Sequence, residues 1–180
     1  CDPGADPKDS PACLVDSFGV FVDATNGKDT NAGTKLAPVK TIGHAISIVG
    51  TKPRIYVCEG TYAEDVVLNA SHDGVSMYGG WKCADWSYSG TKPVIGKTQT
   101  PFKIDSLTKA ITLEDLEVDA ADGDTTNLSS IAMFVNGSAN VALKRVKLSA
   151  GKGHAGAPGT VSPFTYPTQI QLNGNNADAG

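Results

Sequence analysis

Residues 111–121 read ITLEDLEVDAA, and residues 141–151, thirty positions later, read VALKRVKLSAG. Apolar or small residues coincide at five aligned positions, namely Ile111/Val141, Leu113/Leu143, Leu116/Val146, Val118/Leu148 and Ala120/Ala150. A supersecondary unit that recurs at a fixed period is typical of a solenoid. We therefore predict coils that stack with a thirty-residue step, so that equivalent residues become vertical neighbours.

The charged residues between the apolar ones favour the same register. In the predicted stack, three acidic residues of one coil lie against three basic residues of the next: Glu114 over Lys144, Asp115 over Arg145, and Glu117 over Lys147. Like charges at these positions would repel, whereas the sequence inverts the sign at all three. We expect these to be exposed pairs, each worth about 0.2–1 kcal/mol.

Short apolar runs recur along the rest of the chain, separated by turn-like segments. Predicted strands cover residues 19–23, 54–58, 65–68, 75–78, 102–104, 111–113, 116–118, 131–135, 141–143 and 146–148. Parallel strands are usually connected through helices, and the segments between these runs show no helix pattern. The candidate folds are therefore a sandwich, a barrel and a β-helix. The repeat decides for an all-β fold, a right-handed parallel β-helix.

One helix is predicted over residues 41–49, where Ile42, Ala45, Ile46 and Val49 follow helical spacing. Thr41 can cap its start, and Gly50 can end it. So short a helix needs an apolar support. We expect it to cap the first coil, which is the cover that an exposed strand edge requires.

The 180 residues suggest one β-helix domain, residues 18–180, behind an irregular tail, residues 1–17. Residues 168–172 make one further possible strand in a stretch that shows no terminal cap, so we expect the natural protein to continue beyond Gly180. The formal net charge is −4 and there is no basic block, which disfavours a nucleic-acid partner. No apolar run approaches the roughly 18 residues of a transmembrane segment. The sequence leaves the oligomeric state open.

The four cysteines predict disulfides and an oxidising, extracellular or outer-surface location. No CxxC pair supports a metal site. Proximity in sequence favours pairing Cys1 with Cys13 and Cys58 with Cys83. Four buried thiols are one alternative, and a lipid on Cys1, as in bacterial lipoproteins, is another.

Residues 23–46 (DATNGKDTNAGTKLAPVKTIGHAI) and 54–68 (RIYVCEGTYAEDVVL) carry Gly33-Thr34, Pro38, Lys40-Thr41-Ile42 and Gly60-Thr61-Tyr62. This pattern resembles the start of pectate-lyase-like right-handed β-helix proteins. The later part, with GVSMYGGW, residues 132–135 and LSAGKGHAGAPG, is similar to surface-exposed β-helix proteins of social and predatory soil bacteria. The resemblance implies the fold and not the function, because this architecture hosts lyases, hydrolases, adhesins and spacers.

Two Asp- and Asn-rich clusters could hold calcium, which prefers oxygen ligands. They are Asp119, Asp122 and Asp124, and Asp23, Asn26, Asp29 and Asn31. The same residue types are also ordinary turn formers, so we assign no metal and no cofactor, with calcium as the alternative. The nearby candidates for a catalytic base, Lys144 and Arg145, are already assigned to the pairs of opposite charge with Glu114 and Asp115. We therefore assign no catalytic residue.

The aromatic stretch YGGWKCADWSY supplies the best binding candidates, Trp81, Trp86 and Tyr88, with Tyr78 beside them. Flat rings can stack on sugars; the alternative is that they cover the coil edge beside Cys83 and bury area there.

We expect a non-catalytic extracellular or cell-surface module for interaction or adhesion, with a polysaccharide or a cell-surface component as its partner. The alternative is a polysaccharide lyase or glycoside hydrolase that acts on acidic glycans. The acidic chain would repel such a substrate, which disfavours that alternative.

Overall fold

The computed structural model describes Asp2, residues 4–161 and Pro163. These residues form one α-helix and twelve strands. The elements are β1 (Gly19–Val22), α1 (Ile42–Ile48), β2 (Arg54–Cys58), β3 (Thr61–Tyr62), β4 (Val66–Leu68), β5 (Ser76–Trp81), β6 (Val94–Ile95), β7 (Phe102–Asp105), β8 (Ile111–Glu114), β9 (Glu117–Asp119), β10 (Met133–Asn136), β11 (Val141–Lys144) and β12 (Lys147–Ser149).

The strands form three sheets, and every pairing within a sheet is parallel. The five-stranded sheet has the order β1-β2-β5-β8-β11, the four-stranded sheet β12-β9-β6-β3, and the three-stranded sheet β10-β7-β4. From β2 onward, successive strands enter the five-, four- and three-stranded sheets in a fixed rotation. This mostly β architecture is compatible with the predicted stack of coils.

The predicted register is confirmed in both repeat strands. Leu143 pairs with Leu113 in β11 and β8, and Leu148 pairs with Val118 in β12 and β9. The inward side chains of β8 and β9, and of the strands that precede them in the sheets, form the main apolar core, and Val141 and Val146 pack against it.

Helix α1 forms where its spacing predicts. The Thr41 side chain accepts a hydrogen bond from the His44 N–H at the helix start, and Ile42, Ala45 and Ile46 are buried. The helix packs on β1, β2 and β4. Strands β3 and β6 escaped the sequence analysis, because two residues are too few to display a period of two.

A second apolar cluster lies on the outer face of the five-stranded sheet. It contains Leu14, Phe21, Tyr56, Cys58, Tyr78, Trp81 and Trp86. Residues 4–18, here called the N-terminal strap, run over this face: Tyr56 Oη donates to Cys13 O at 2.6 Å, and Leu14 is buried. The predicted tail is thus irregular, with one 3₁₀ turn over Pro11–Cys13, yet it packs as a layer.

The three predicted charge contacts are confirmed, but two of their acidic members are not exposed. Glu114 and Asp115 are each only 2% exposed. The expectation of solvent-exposed pairs at these positions is wrong, because the strap brings Asp6 against the guanidinium of Arg145, which Glu114 and Asp115 also contact.

Candidate functional site

A cavity of about 490 Å³ lies between the loop after β1 and the loop after β5. It brings together residues of both regions that the sequence singled out, the polar loop and the aromatic stretch. Its lining comprises Asp23, Asn26, Asn31, Lys35, Leu36, Pro38, Cys83, Ala84, Asp85 and Trp86. We call it the loop cavity.

One wall of the loop cavity is held in place by the disulfide bond between Cys58 and Cys83, and Cys83 lines the cavity. This pairing was predicted and is confirmed. Cys13 is also disulfide-bonded, whereas Cys1, its predicted partner, lies outside the described residues. The Cys58–Cys83 bond ties the loop after β5 to the end of β2, so it holds one wall of the cavity on the sheet.

Trp86 forms part of this wall and is itself buried. Its Nε1 donates to Lys35 O at 3.2 Å, which links the two loops directly. Its ring meets the Phe21 ring edge-on, with centroids 4.7 Å apart. The backbone of Trp86 has φ +59°, a left-handed conformation that a bulky residue adopts at a cost of about 1–3 kcal/mol. The surrounding contacts therefore hold the loop in a shape that the local sequence does not favour.

The opposite wall is built on Asp23, a buried carboxylate. It accepts hydrogen bonds from the N–H groups of Thr25 and Asn26 at 2.8 and 3.0 Å, and from Asn26 Nδ2 at 3.2 Å. Asn31 Nδ2 donates to Pro38 O at 2.8 Å. Asn26 and Asn31 both line the cavity, and each is held in place by a hydrogen bond that its side-chain amide donates to the protein.

The rim of the loop cavity combines charge with apolar surface. Leu36 is 98% exposed, which is unusual for a large apolar side chain beside a cavity. Asp85 accepts hydrogen bonds from Ser87, which lower the pKa of its carboxyl and keep it ionised. Sequence reasoning missed Lys35, Leu36 and Asp85, because the two loops lie about fifty residues apart and only the fold brings them together.

The predicted aromatic group is placed mainly in the outer cluster. Trp81 is buried, donates from Nε1 to Tyr78 O at 3.1 Å, and meets the rings of Tyr56 and Tyr88. Tyr88 is 39% exposed and donates to Asp115 Oδ2 at 2.9 Å. Of the three, Tyr88 presents ring surface to solvent, and a sugar-stacking role for the group stays a prediction.

In the predicted calcium cluster of Asp23, Asn26, Asp29 and Asn31, the two carboxylates accept hydrogen bonds from neighbouring N–H groups. The Asp29 Oδ1 atom accepts from the N–H groups of Lys40 and Thr41, both at 2.9 Å. Partial burial opposes ionisation of Asp29, yet these hydrogen bonds outweigh it and lower its pKa. Among the described residues, geometry places Asp23, Cys58 and Cys83 within metal-ligand reach of one another, but the two sulfurs are joined to each other.

In the predicted calcium cluster of Asp119, Asp122 and Asp124, two carboxylates also accept hydrogen bonds from backbone N–H groups. Asp124 Oδ1 accepts from Thr126 and Asn127 at 2.8 and 2.7 Å, and Asp122 Oδ1 accepts from Lys152 at 2.7 Å. Asp119 Oδ1 is buried without a hydrogen-bond partner in the described residues. Calcium binding at either cluster stays a prediction.

The fold and the loop cavity define a mostly β protein with parallel sheets, disulfide-bonded, with a polar cavity held between two loops. A family of proteins of unknown function, DUF1565, matches residues 25–69, which include the cavity-lining residues Asn26, Asn31, Lys35, Leu36 and Pro38. The chain is similar to the uncharacterized protein YwoF of Bacillus subtilis (strain 168), with 27% identity over 145 residues that cover 72% of this chain and 30% of YwoF. No solved structure matches the chain. Within the described residues, none of the helical segments has the length and hydropathy that a membrane crossing requires.

Proposed function

We propose that this chain is a right-handed parallel β-helix module that acts outside the cell or on its surface and binds a carbohydrate without transforming it. The rotation of strands through three parallel sheets supports the β-helix, and connections between parallel strands are right-handed in about 98% of cases. DUF1565 is associated with parallel β-helix proteins, and its match overlaps the residues that resemble the pectate-lyase-like group. The Cys58–Cys83 disulfide supports an oxidising compartment.

The loop cavity is the observation that carries the carbohydrate proposal. Hydroxyl-rich ligands need several acceptors and donors next to apolar surface for the C–H faces of the rings. The side-chain amides of Asn26 and Asn31, the Asp85 carboxylate and the Lys35 ammonium group supply the first, and Leu36 supplies the second. A concave site with a few convergent polar groups is the usual form of a small-ligand pocket.

One observation favours the enzymatic alternative. Burial raises the pKa of the Glu114 carboxyl to about 7, which is the range of a general acid. Glu114 is only 2% exposed and does not line the loop cavity, so a glycan has no path to it in this conformation. This arrangement supports binding over hydrolysis.

A glycan array tests the proposal with two matched variants. Leu36→Ser removes an apolar side chain at the cavity rim, and Val161→Ser removes one that does not line the cavity; the two are 98% and 91% exposed. Both should fold normally. We expect the wild type and Val161→Ser to retain the same glycans, and Leu36→Ser to bind them about tenfold more weakly.

Binding that survives in Leu36→Ser and in a Lys35→Ala, Asp85→Ala double variant would move the site away from the loop cavity. An ultraviolet assay for unsaturated products on uronic-acid polymers, with and without calcium, tests the alternative. Turnover that disappears in Asp119→Asn or Asp122→Asn would replace the binding module by a lyase.

A further inference from the structure

A second cavity, of about 370 Å³, lies where the chain enters three strands of the five-stranded sheet. These strands, β2, β5 and β8, are parallel neighbours, so the segments that lead into them lie side by side at one end of the sheet. We call it the strand-entry cavity. Its lining residues come from these three segments: Gly50, Thr51, Lys52, Pro53, Asp73, Gly74, Val75 and Lys109.

Two lysine side chains bring positive charge to the strand-entry cavity. Neither the Lys52 nor the Lys109 ammonium group makes a hydrogen bond or an ion pair in the part of the chain that the structure describes. Lys52 is half-buried. The stem of Lys109 packs over Gly74, where an added Cβ atom would lie 3.0 Å from Lys109 Cδ. Both cations are therefore positioned at the cavity without a carboxylate partner.

The acidic residue of the lining, Asp73, is already engaged by the protein. Its Oδ1 atom accepts hydrogen bonds from the N–H groups of Thr108 and Lys109 at 3.0 and 2.8 Å, and its Oδ2 atom accepts one from the Thr108 hydroxyl. The Thr108 hydroxyl, followed by the backbone N–H groups, lowers the pKa of Asp73 and keeps it ionised. Two ammonium groups against one carboxylate leave an excess of positive charge in the lining, although the whole chain carries −4.

Backbone N–H groups add hydrogen-bond donors to this charge. Those of Gly50, Thr51 and Gly74 donate to no acceptor among the described residues. Gly50 has φ +57° and follows Val49, which is in the right-handed helical conformation. Successive N–H groups of such a right-handed and left-handed pair converge on a concavity that binds anions. Gly74, with φ +90°, lies in a separate turn that also lines the cavity.

We propose that the strand-entry cavity binds a small oxyanion, namely a sulfate, phosphate or carboxylate group, carried either by a free ion or by an acidic sugar. Lys52 and Lys109 supply the charge, and the backbone N–H groups supply hydrogen bonds to the oxygens of the anion. A cation would be repelled by the two ammonium groups, and a neutral sugar would gain no attraction from them. The proposal does not depend on glycan binding at the loop cavity, because the two cavities have no lining residue in common.

Titration of the full oxidised, isotope-labelled chain with sodium sulfate, followed by heteronuclear NMR spectra, tests the proposal. Sodium chloride is exchanged for sulfate at constant ionic strength, so that the screening of surface charges stays the same throughout. We expect saturable shifts of the amide resonances of Gly50, Thr51 and Gly74, with a Kd on the order of 1–10 mM, as fits two partly solvated cations.

Parallel titrations with phosphate, glucuronate and glucose identify the source of the anion. Tighter binding of glucuronate than of both inorganic ions would assign an acidic sugar, and the opposite order would assign a free ion. Glucose should leave the three amide resonances unchanged. Shifts by glucose as large as those by the anions would overturn the proposal, because the cavity would then not select for charge.

Lys52→Gln and Lys109→Gln each remove one cation, so each should weaken sulfate binding roughly threefold to fivefold, and the double variant should weaken it by roughly the product. Lys103→Gln is the matched control, because Lys103 is an exposed lysine that makes no ion pair among the described residues and does not line the cavity. It should keep the wild-type affinity. The absence of a saturable shift with any of the three anions overturns the proposal, and so does an unchanged affinity in the folded double variant.

Discussion

Single residues limit how closely neighbouring strands of the parallel sheets can approach each other. Gly96 follows β6, and a Cβ atom built on it would lie 2.1 Å from the backbone oxygen of Asp119. This close approach lies beside the parallel pairing of β6 with β9. A backbone carbonyl cannot rotate away as a side chain can, so any larger residue must push the two strands apart.

We therefore expect Gly96→Ala to lower the free energy of unfolding by roughly 1–3 kcal/mol, measured by urea denaturation. Gly156→Ala is the matched control, because no heavy atom lies within 4 Å of its Cβ position. It should change stability by only a few tenths of a kcal/mol. Equal stability of the two variants would mean that the strands do not approach as closely as described.

At the scale of elements, α1 is stabilised by a partner that its own sequence does not contain. Glu64, between β3 and β4, accepts hydrogen bonds from the N–H groups of Ile42 and Gly43, both at 2.8 Å. Its carboxylate satisfies two of the donors that the first turn of a helix leaves unpaired. The capping helix is thereby fastened to the second coil.

Replacement of Glu64 by Ala should cost about 1–3 kcal/mol, because two charge-assisted hydrogen bonds disappear together. The measurement is thermal or urea unfolding followed by circular dichroism. Glu59→Ala serves for comparison, since the Glu59 carboxylate makes no hydrogen bond or ion pair among the described residues. If the two variants lose the same stability, the carboxylate of Glu64 does not cap the helix.

The elements also show which structural features local sequence patterns can predict. The helix start at Thr41 and the pairing of β8 with β11 followed from spacing alone, because the 3.6-residue period and the thirty-residue repeat are local properties. The Glu64 cap and the loop cavity could not be predicted in this way. Each joins residues that only the stacked coils bring together, and neither Leu36 nor Asp85 carries a pattern of its own.

At the scale of the whole molecule, the described residues form two apolar clusters, and the sequence predicted the inner one fully and the outer one only in part. The inner core follows from the alternation of inward residues in each strand. Burial of the aromatic group beside Cys83 was the stated alternative to sugar stacking, and it is confirmed for Tyr78, Trp81 and Trp86. The parts of the outer cluster supplied by Leu14, Phe21 and Tyr56 were missed, because the alternation assigns outward positions to solvent. The N-terminal strap also buries Glu114 and Asp115, so the expectation of exposed ion pairs failed for the same physical reason.

Apolar side chains at equivalent positions of neighbouring strands differ in how far they are exposed to solvent. Leu113 in β8 is fully buried, whereas Leu143, its partner one coil later, is 45% exposed. Leu148 in β12 is 44% exposed, although its partner Val118 is fully buried. The described coils thus bury apolar side chains between them and leave those of the last coil partly in water.

Truncating the two paired leucines measures this difference. Leu113→Ala should cost about 2–5 kcal/mol, because it opens a cavity between coils. Leu143→Ala should cost only about 1 kcal/mol, since part of that side chain is already hydrated in the folded chain. The readout is the free energy of unfolding in urea. Equal costs would mean that Leu143 is covered in solution by something outside the described residues, and a cost that grows with protein concentration would identify a second copy as the cover.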